Sequence, residues 1–467
     1  MHSNIINLLL ILLTITFPIT YCGSINKVDN LFGDLYSKEI YSGYLNTDIP
    51  ENELFYIFVP SQSNTSSTDP VLLWLNGGPF CSSLFGLLGE IGPVIAGFFT
   101  GYFEKNEYSW NKKINLLVFE FPAGLGFSKT YDRNQTWNDT KTAKSNLYAL
   151  KDFFDMFPQY KNNSFYMSGE SYAGVYIPFL SQAIIDDGRN INLKGVLIGN
   201  GIGDFTVDAE KSIFDFSFYH GLIPIETYET YIRNCPIIKD FESNDYVDKK
   251  KCKILEDKMW EYFQGIDIYG IYRNCYQMNS SFIYNDNYEN YYNSYKRNIL
   301  KLLKRNNNEN INGDENEFIP CRDDYTMDNF LNNETIKKKL NATIQGKWTQ
   351  CSDEKLYKTY NLTDSFSFYK DYYPLHSDLQ IWFFSGINDA VVSTLGTLRW
   401  IEKLKWNVKT EWKEWKNQDK QVAGHVQQYE NGFTLLTFKN AGHMVPQDMR
   451  KEAYLMLEYF LNNKLPE

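Results

Sequence analysis

The strongest constraint on the fold of this 467-residue chain is a series of short apolar runs separated by stretches with helical periodicity. The runs lie at 71–75 (VLLWL), 114–121 (INLLVFEF), 193–198 (LKGVLI), 379–386 (LQIWFFSG) and 433–440 (FTLLTFKN). Runs with so few polar residues are typical of strands buried on both faces of a sheet. Between them, segments such as 145–157 repeat apolar residues at helical spacing. The pattern predicts an α/β fold with a mostly parallel central sheet covered by helices.

The composition changes between about residues 205 and 345. This segment is rich in Tyr, Asn and Lys, and it contains four of the seven cysteines. Residues 306–317 (NNNENINGDENE) are polar and low in complexity, which indicates a disordered or excised loop. We therefore predict an insertion, or lid, over 205–345, and one core that is split into residues 23–204 and 346–467.

Residues 1–22 have the pattern of a secretory signal peptide. An apolar stretch at 8–19 is followed by Cys22, Gly23 and Ser24, although no Lys or Arg precedes it. A buried N-terminal strand or helix is the alternative. No later run approaches the roughly 18 to 20 apolar residues that a membrane span needs, so we expect no stable membrane anchor. We expect the mature chain in the secretory pathway, in an acidic lysosome-like or vacuole-like compartment or secreted.

Charge and cysteine content narrow the class of protein. The formal net charge is −11 at pH 7 and no long basic run occurs, which argues against nucleic acid as a partner. Six cysteines follow residue 22, and in a secretory protein an even number predicts three disulfides. None of these cysteines forms a CxxC motif and only five histidines occur, so we expect no metal and no cofactor. Sequons for N-glycosylation occur at Asn64, Asn134, Asn138, Asn162, Asn279, Asn333, Asn341 and Asn361.

A candidate nucleophile follows a short apolar strand at 165–176 (FYMSGESYAGVY). Ser171 lies between this strand and a helical pattern, as a serine on a sharp nucleophile elbow must. Small residues flank it at Gly169 and Ala173, although position +2 is usually glycine. A glycine- and serine-rich turn without chemical meaning is the alternative, so this motif alone does not decide the matter.

A serine hydroxyl is a weak nucleophile and needs a general base. In α/β-hydrolases the catalytic residues follow the order Ser, Asp, His, each in a loop after a strand. Asp389 follows the predicted strand 379–386, and His443 follows the predicted strand 433–440. His425 is the rival base, but it lies in a polar stretch before the last strand. We therefore predict a triad of Ser171, Asp389 and His443.

A glycine-rich turn after the first predicted strand is a candidate oxyanion hole. The chain reads Asn-Gly-Gly-Pro at 76–79, and glycines allow a close approach of backbone N–H groups to a ligand. We predict that the N–H groups of Gly78 and Tyr172 stabilise a developing oxyanion. Alone, the Asn-Gly-Gly-Pro sequence is better explained as a tight turn without catalytic meaning. Serine, acid, base and glycine turn occur together and in the expected order, which favours catalysis.

The sequence around these residues resembles that of the serine carboxypeptidase family. The matching stretches are WLNGGPFCSS (74–83), SWNKKINLLVFEFPAGLGFS (109–128), SGESYAGVYIP (168–178), LKGVLIGNG (193–201), FSGINDAVVSTLGT (384–397) and NAGHMVP (440–446), which span most of the chain. The resemblance implies an α/β-hydrolase fold with a helical insertion stapled by disulfides. It also implies an enzyme that removes single residues from the C-termini of peptides or proteins, usually at acidic pH.

The resemblance also assigns roles to individual residues. It places Ser171, Asp389 and His443 on the triad. It places Asn76, Glu90 and Glu170 on the group that binds the substrate's terminal carboxylate. It implies the disulfide pairs Cys81–Cys351, Cys235–Cys252 and Cys275–Cys321. The family usually has glycine where Phe80 stands, so we expect this bulky side chain to narrow or reshape the pocket for the leaving residue.

The implied carboxylate site is consistent with simple electrostatics. Two glutamates that face each other resist ionising together, so one keeps a proton and can donate a hydrogen bond to the substrate's carboxylate. Asn76 supplies a second donor. Other readings stay open: an acyltransferase or lyase on the same fold, or a protective or binding role. Peptide or protein C-termini are the expected partners, and the sequence leaves a homodimer open.

Overall fold

The computed structural model describes residues 23–97, 102–132, 135–188, 190–205, 207–208, 212–235, 249–275, 325–343, 346–352, 365–376 and 378–466. Several predictions fall outside these residues: the signal peptide at 1–22, the polar loop at 306–317, and the sequons at Asn134, Asn279 and Asn361. Among the helices in the described ranges, none is long and apolar enough to cross a bilayer.

An eleven-stranded sheet forms the centre of the molecule. In chain order the strands are β1 (Ser24–Val28), β2 (Ile40–Asn46), β3 (Glu53–Val59), β4 (Val71–Leu75), β5 (Val94–Ala96), β6 (Phe103–Lys105), β7 (Asn115–Phe119), β8 (Phe165–Glu170), β9 (Leu193–Gly199), β10 (Gln380–Gly386), β11 (Val408–Lys416), β12 (Val422–Tyr429) and β13 (Thr434–Phe438). Their order across the sheet is β1-β2-β3-β7-β4-β8-β9-β10-β13-β12-β11, and β5 and β6 form a separate pair.

The middle of the sheet is parallel and both edges are antiparallel. The six strands β7, β4, β8, β9, β10 and β13 run parallel to one another. Each of the five runs predicted from the sequence forms one of these strands, and the predicted α/β fold is confirmed. The sheet as a whole is mixed, because β1, β2 and β3 extend one edge and β12 and β11 extend the other with antiparallel pairing.

Helices flank the sheet. They are α1 (Leu84–Gly86), α2 (Asp139–Met156), α3 (Ala173–Asp186), α4 (Ser212–Tyr219), α5 (Ile225–Asn234), α6 (Lys249–Tyr262), α7 (Tyr325–Asn332), α8 (Glu334–Lys339), α9 (Thr394–Lys403), α10 (Val445–Asp448) and α11 (Arg450–Leu461). Helix α1 continues directly into a π-helical turn, Leu87–Ile91. The helix predicted at 145–157 is the greater part of α2, whose N-terminus is capped by Asn138.

Two apolar clusters, one on each face of the sheet, form the core. Alternate residues of β4 enter different clusters: Leu73 packs with α2 and α3, whereas Trp74 packs with α11. This alternation follows from the two-residue period of a strand. Each fully buried side chain of this kind contributes about 1.5–3 kcal/mol to stability. The parallel strands are thereby fixed, and with them the loops that follow their carboxyl ends.

Helices α4, α5 and α6 of the predicted insertion pack around a third, smaller apolar cluster. Within it the rings of Phe214 and Tyr231 stack with centroids 3.5 Å apart. A disulfide joins Cys235 at the end of α5 to Cys252 in α6. The exact division of the chain into core and insertion remains a prediction.

Candidate active site

Ser171 occupies the sharp turn between β8 and α3. Its φ of 62° lies in the left-handed region, which costs a residue with a side chain about 1–2 kcal/mol. The neighbouring strand holds it there: the Ser171 N–H donates to the Gly199 carbonyl at 3.0 Å, and the Ser171 carbonyl accepts from the N–H of Ile202 at 3.1 Å. The half-buried Ser171 is therefore presented by backbone geometry, as an elbow requires.

The small residues around Ser171 have separate structural reasons. A Cβ on Gly169 would lie 2.1 Å from the Leu75 carbonyl oxygen of β4, and a Cβ on Gly174 would lie 2.4 Å from the Ile202 nitrogen. Ala173 is fully buried at position +2 without such a constraint. The close approach to the chain after β9 thus occurs at Gly174, which explains why alanine is accommodated at position +2.

Asp389 and His443 come together at the ends of two adjacent parallel strands, β10 and β13. The His443 Nδ1 atom lies 2.6 Å from Asp389 Oδ2, and both side chains are buried. Backbone N–H groups of Val391 and Val392 also donate to the Asp389 carboxylate, at 2.8 and 3.2 Å. This geometry holds the imidazole with Nδ1 toward the carboxylate, which leaves Nε2 for proton transfer.

Asn200, immediately after β9, was not predicted as a site residue. Its Nδ2 atom donates to Asp389 Oδ2 at 2.9 Å, and its Oδ1 atom accepts the N–H of Gly386 at 2.9 Å. The backbone of Asn200 is left-handed, with φ 35°, a region that asparagine tolerates better than most residues. Asn200 therefore fixes the carboxylate that faces His443. Its position after a parallel strand, in the stretch LKGVLIGNG, was the available signal.

The glycine turn after β4 lies directly against the elbow. A Cβ on Gly77 would lie 2.5 Å from the Tyr172 nitrogen and 2.7 Å from Ser171 Cβ, so only glycine fits. Gly78 has φ 114°, which also favours glycine. The Tyr172 side chain is buried and its hydroxyl donates to Asp139 at 3.1 Å. The structure thus brings the two segments predicted to form the oxyanion hole into contact.

Asn76 is held beside Glu170, the residue before Ser171, by a hydrogen-bond network. Its Nδ2 atom donates to Glu170 Oε1 at 3.0 Å, and its Oδ1 atom accepts from Trp74 Nε1 at 2.9 Å and from the Gly86 N–H at 3.0 Å. Because two donors face Oδ1, the orientation of the amide is determined. Glu90 lies in the π-helical turn, four residues beyond Gly86, and is buried.

Glu120 is a further buried carboxyl near the site, and it was not predicted as a site residue. Its Oε1 atom accepts from Ser82 Oγ at 2.5 Å and from Trp348 Nε1 at 2.8 Å, and its Oε2 atom accepts the Phe127 N–H at 2.6 Å. Burial raises the pKa of Glu120 to about 7, although these three donors act in the opposite direction. Glu120 therefore connects Ser82, which follows the glycine turn, to Phe127 and to Trp348.

Phe80 follows the glycine turn with φ 68°, a left-handed conformation that suits glycine better. Its side chain is fully buried in the cluster that contains Phe121, Tyr172 and Tyr176. The expected effect of Phe80 on the leaving-residue pocket remains a prediction.

The next residue along the chain is Cys81, and a disulfide joins it to Cys351. The third implied pair, Cys275–Cys321, includes a residue outside the described ranges.

His425, the alternative candidate for the general base, does not lie in the loop after β13. It is on β12, and its ring stacks on Trp412 of β11 with centroids 5.3 Å apart. Its backbone N–H donates to Thr437 Oγ1 at 2.9 Å. Of the two candidate histidines, only His443 is hydrogen-bonded to Asp389 among the described contacts.

An α/β fold with an elbow serine after β8 and a buried Asp–His pair after β10 and β13 is the arrangement of an α/β-hydrolase. The family profile described as serine carboxypeptidase matches residues 32–463. The chain is 34% identical over 445 residues to serine carboxypeptidase-like 32 of Arabidopsis thaliana, covering 91% of this chain and 89% of the relative. It is 33% identical over 450 residues to the lysosomal protective protein of Mus musculus, covering 91% and 90%.

A solved structure supports the fold. The crystal structure of Kex1Δp, a prohormone-processing carboxypeptidase from Saccharomyces cerevisiae, superposes with a TM-score of 0.71 at 22% identity, covering 94% of this chain and 96% of that chain. The chain belongs to the serine carboxypeptidase family, and it is a hydrolase of the serine carboxypeptidase type.

Proposed function

We propose that this protein releases C-terminal amino acids from peptides or proteins through an acyl-enzyme on Ser171. His443 takes the proton from the Ser171 hydroxyl as Oγ attacks the last peptide carbonyl, and Asp389 stabilises the imidazolium. The N–H groups of Gly78 and Tyr172 stabilise the oxyanion. His443 then gives the proton to the departing amine, and water, activated by the same histidine, releases the shortened peptide.

The observation that carries this proposal is the buried hydrogen bond between Asn76 and Glu170. Glu170 directly precedes Ser171, so a carboxylate bound there lies next to the nucleophile. A buried carboxyl group binds an anion only when it carries a proton, since two carboxylates repel each other. With Asn76 orienting one face of Glu170 and Glu90 buried on the adjacent turn, this group favours a free C-terminus over an internal peptide segment.

The same chemistry supports activity at acidic pH. Protonation of one buried glutamate turns it into a donor for the substrate's carboxylate, and loss of that proton removes the donor and adds repulsion. We infer that peptide binding weakens as the pH rises. An acidic compartment of the secretory pathway, or secretion into an acidic medium, agrees with this dependence and with the disulfides Cys81–Cys351 and Cys235–Cys252.

A matched pair of peptides tests the proposal. Both have the same sequence, one with a free C-terminal carboxylate and one with a C-terminal amide, and both are digested across a pH series and read by mass. We expect stepwise loss of single C-terminal residues from the free acid, fastest at about pH 5, and at least about 10-fold slower loss from the amide, because one hydrogen bond to a charged group contributes about 1.5–3 kcal/mol.

Two results would contradict this proposal. Equal rates on both peptides, or cleavage within the chain, would remove the role of the carboxylate-binding group. Transfer of an acyl group from an acyl-glucose donor, with the peptides left intact, would assign the same serine to an acyltransferase instead.

A further inference from the structure

A short segment of the predicted insertion contacts the loops of both Asp389 and His443. We call residues 267–273, which follow α6, the strap. The Ala390 N–H donates to the Ile268 carbonyl at 2.9 Å, and the Ile271 N–H donates to the Asn388 carbonyl at 3.1 Å. The strap thus pairs with the residues on either side of Asp389.

The strap also binds the backbone of the histidine. The His443 N–H donates to the Tyr269 carbonyl at 2.7 Å, and the two rings lie with centroids 4.9 Å apart. Asp389 and His443 come from different strands, so their relative position depends on what joins the two loops. The strap is one direct connection between them.

Arg273 fixes the strap to the histidine loop through a charged network. Its guanidinium pairs with Asp448 of α10 and contacts Asp267 Oδ2 at 3.4 Å. Asp448 also accepts the N–H of Gly442, the residue before His443, at 2.7 Å. The side-chain exposures are 26% for Arg273, 12% for Asp448 and 5% for Asp267, so solvent and salt screen these pairs less than an exposed surface ion pair.

Two glycines show how closely the strap approaches. A Cβ on Gly442 would lie 1.9 Å from the Tyr269 carbonyl oxygen, which is the atom that accepts the His443 N–H. A Cβ on Gly270 would lie 2.6 Å from Arg273 Nε and 2.8 Å from its Cζ atom. The approach at Gly442 therefore depends on the absence of a side chain, whereas a Cβ on Gly270 would displace the Arg273 guanidinium.

We propose that Arg273 is a positioning residue, which holds the strap against the two loops and keeps His443 aligned with Asp389. The inference rests on the proposed function, because it concerns the same triad. Loss of the ion pair frees the strap and lets the base move. A displacement of about 1 Å is sufficient to cost about 100-fold in rate. Two groups contact the His443 ring: Asp389 from the loop after β10 and Tyr269 from the strap. The charged groups next to its loop are Arg273 of the strap and Asp448 of α10, which meet it at the N–H of Gly442.

The test measures kcat, KM and the pH profile of kcat/KM on the free-acid peptide for Arg273→Ala, Arg273→Lys and Asp448→Asn. Arg233→Ala is the control, because Arg233 pairs with Glu229 on the exposed surface of the same insertion. We expect Arg273→Ala to lower kcat about 10-fold or more with a smaller change in KM, and Arg273→Lys to restore part of it. The control stays at the wild-type rate.

The pH profile separates a positioning role from a general loss of stability. If the strap positions the base, kcat should fall across the whole pH profile in Arg273→Ala and in Asp448→Asn, with a smaller change in KM. Gly270→Ala serves where Arg273→Ala does not fold, since it keeps the charge but displaces the guanidinium, and the same fall in kcat is expected.

Three results would overturn the inference: Arg273→Ala behaving like Arg233→Ala, no rescue by lysine, or a loss that falls on KM rather than on kcat. The rate of Ser171 labelling by a fluorophosphonate is measured in parallel and needs no peptide. Wild-type protein that is labelled but trims no peptide contradicts the proposed function alone. Labelling that is unchanged in Arg273→Ala contradicts the role of the strap alone.

Discussion

The site has two halves, both near the carboxyl ends of strands of the same sheet. They differ in the groups that surround their carboxyl side chains. In the triad half, after β8, β9, β10 and β13, the single acid Asp389 accepts hydrogen bonds from a side-chain amide, two backbone N–H groups and His443. In the other half, which we propose binds the substrate and call the recognition half, three glutamates are buried: Glu90 in the π-helical turn after α1, Glu120 directly after β7, and Glu170 at the end of β8. In our proposal the first half transfers protons, and the second binds the substrate's carboxylate with a strength that changes with pH.

The largest effect is expected in the triad half. Ser171→Ala removes the nucleophile and should lower kcat by about 10,000-fold or more, whereas peptide binding persists because the recognition half is untouched. Single-turnover digestion measures the rate, and calorimetric titration with the free-acid peptide measures the affinity. Residual trimming at more than about one-tenth of the wild-type rate would remove Ser171 from the mechanism.

Asn200→Ala should come next. It removes the side-chain donor to Asp389 and the acceptor of the Gly386 N–H, so the acid is less well held. We expect kcat to fall about 10- to 100-fold with little change in KM. Asn431→Ala is a control, since Asn431 is a distant asparagine in the turn between β12 and β13. A change confined to KM would show that Asn200 acts on binding.

Asn76→Ala should show the opposite pattern. Loss of the donor beside Glu170 should raise KM for the free-acid peptide about 10-fold and leave the slow reaction of the amidated peptide nearly unchanged. Steady-state kinetics on both peptides measure this difference. Equal losses on the two peptides would mean that Asn76 supports the fold rather than the substrate's carboxylate.

Glu120 should affect stability rather than catalysis, and its effect depends on pH. Its pKa is raised to about 7 in the folded protein from 4.5, so the folded state binds the proton more tightly. The stabilisation is fully present below about pH 4.5 and is lost as the pH rises to about 7, a change of about 3 kcal/mol in the free energy of unfolding.

Denaturant unfolding of wild type and Glu120→Gln at several pH values isolates this contribution. The glutamine variant should be less stable than the wild type at low pH, because the N–H groups of its amide face hydrogen-bond donors. Its free energy of unfolding should lack the decline that Glu120 causes between about pH 4.5 and 7. Parallel curves for the two proteins would show that Glu120 does not titrate in this range.

The sequence predicted the parts that are local. A buried parallel strand and the loop after it leave a signal within about ten residues, which is why β4, β8, β9, β10 and β13 and the residues Ser171, Asp389 and His443 could be placed. The antiparallel edges were not predicted, although β3 reads ELFYIFV and is as apolar and buried as the parallel strands. Their outer strands do not form apolar runs. β11, for example, reads VKTEWKEWK and is mostly exposed.

The remaining site residues act through contacts between distant parts of the chain. Asn200 meets a carboxylate 189 positions away, and Trp348 reaches Glu120 across 228 positions. Nothing in the local sequence around Glu120, at the end of an apolar strand, or around Arg273, in a polar insertion, indicates such partners. Only the packed sheet brings Glu120 to the glycine turn and Arg273 to the histidine loop.

Covalent labelling of the residue that forms the acyl-enzyme tests most directly the claim that Ser171 is the nucleophile. Wild-type protein is treated with a fluorophosphonate at about pH 5 to 7, within the range over which we expect activity, and the adduct is located by peptide mass spectrometry. The account predicts a single adduct on Ser171, formed much more slowly after His443→Ala or Asp389→Asn. An adduct on another residue, or none, would contradict it.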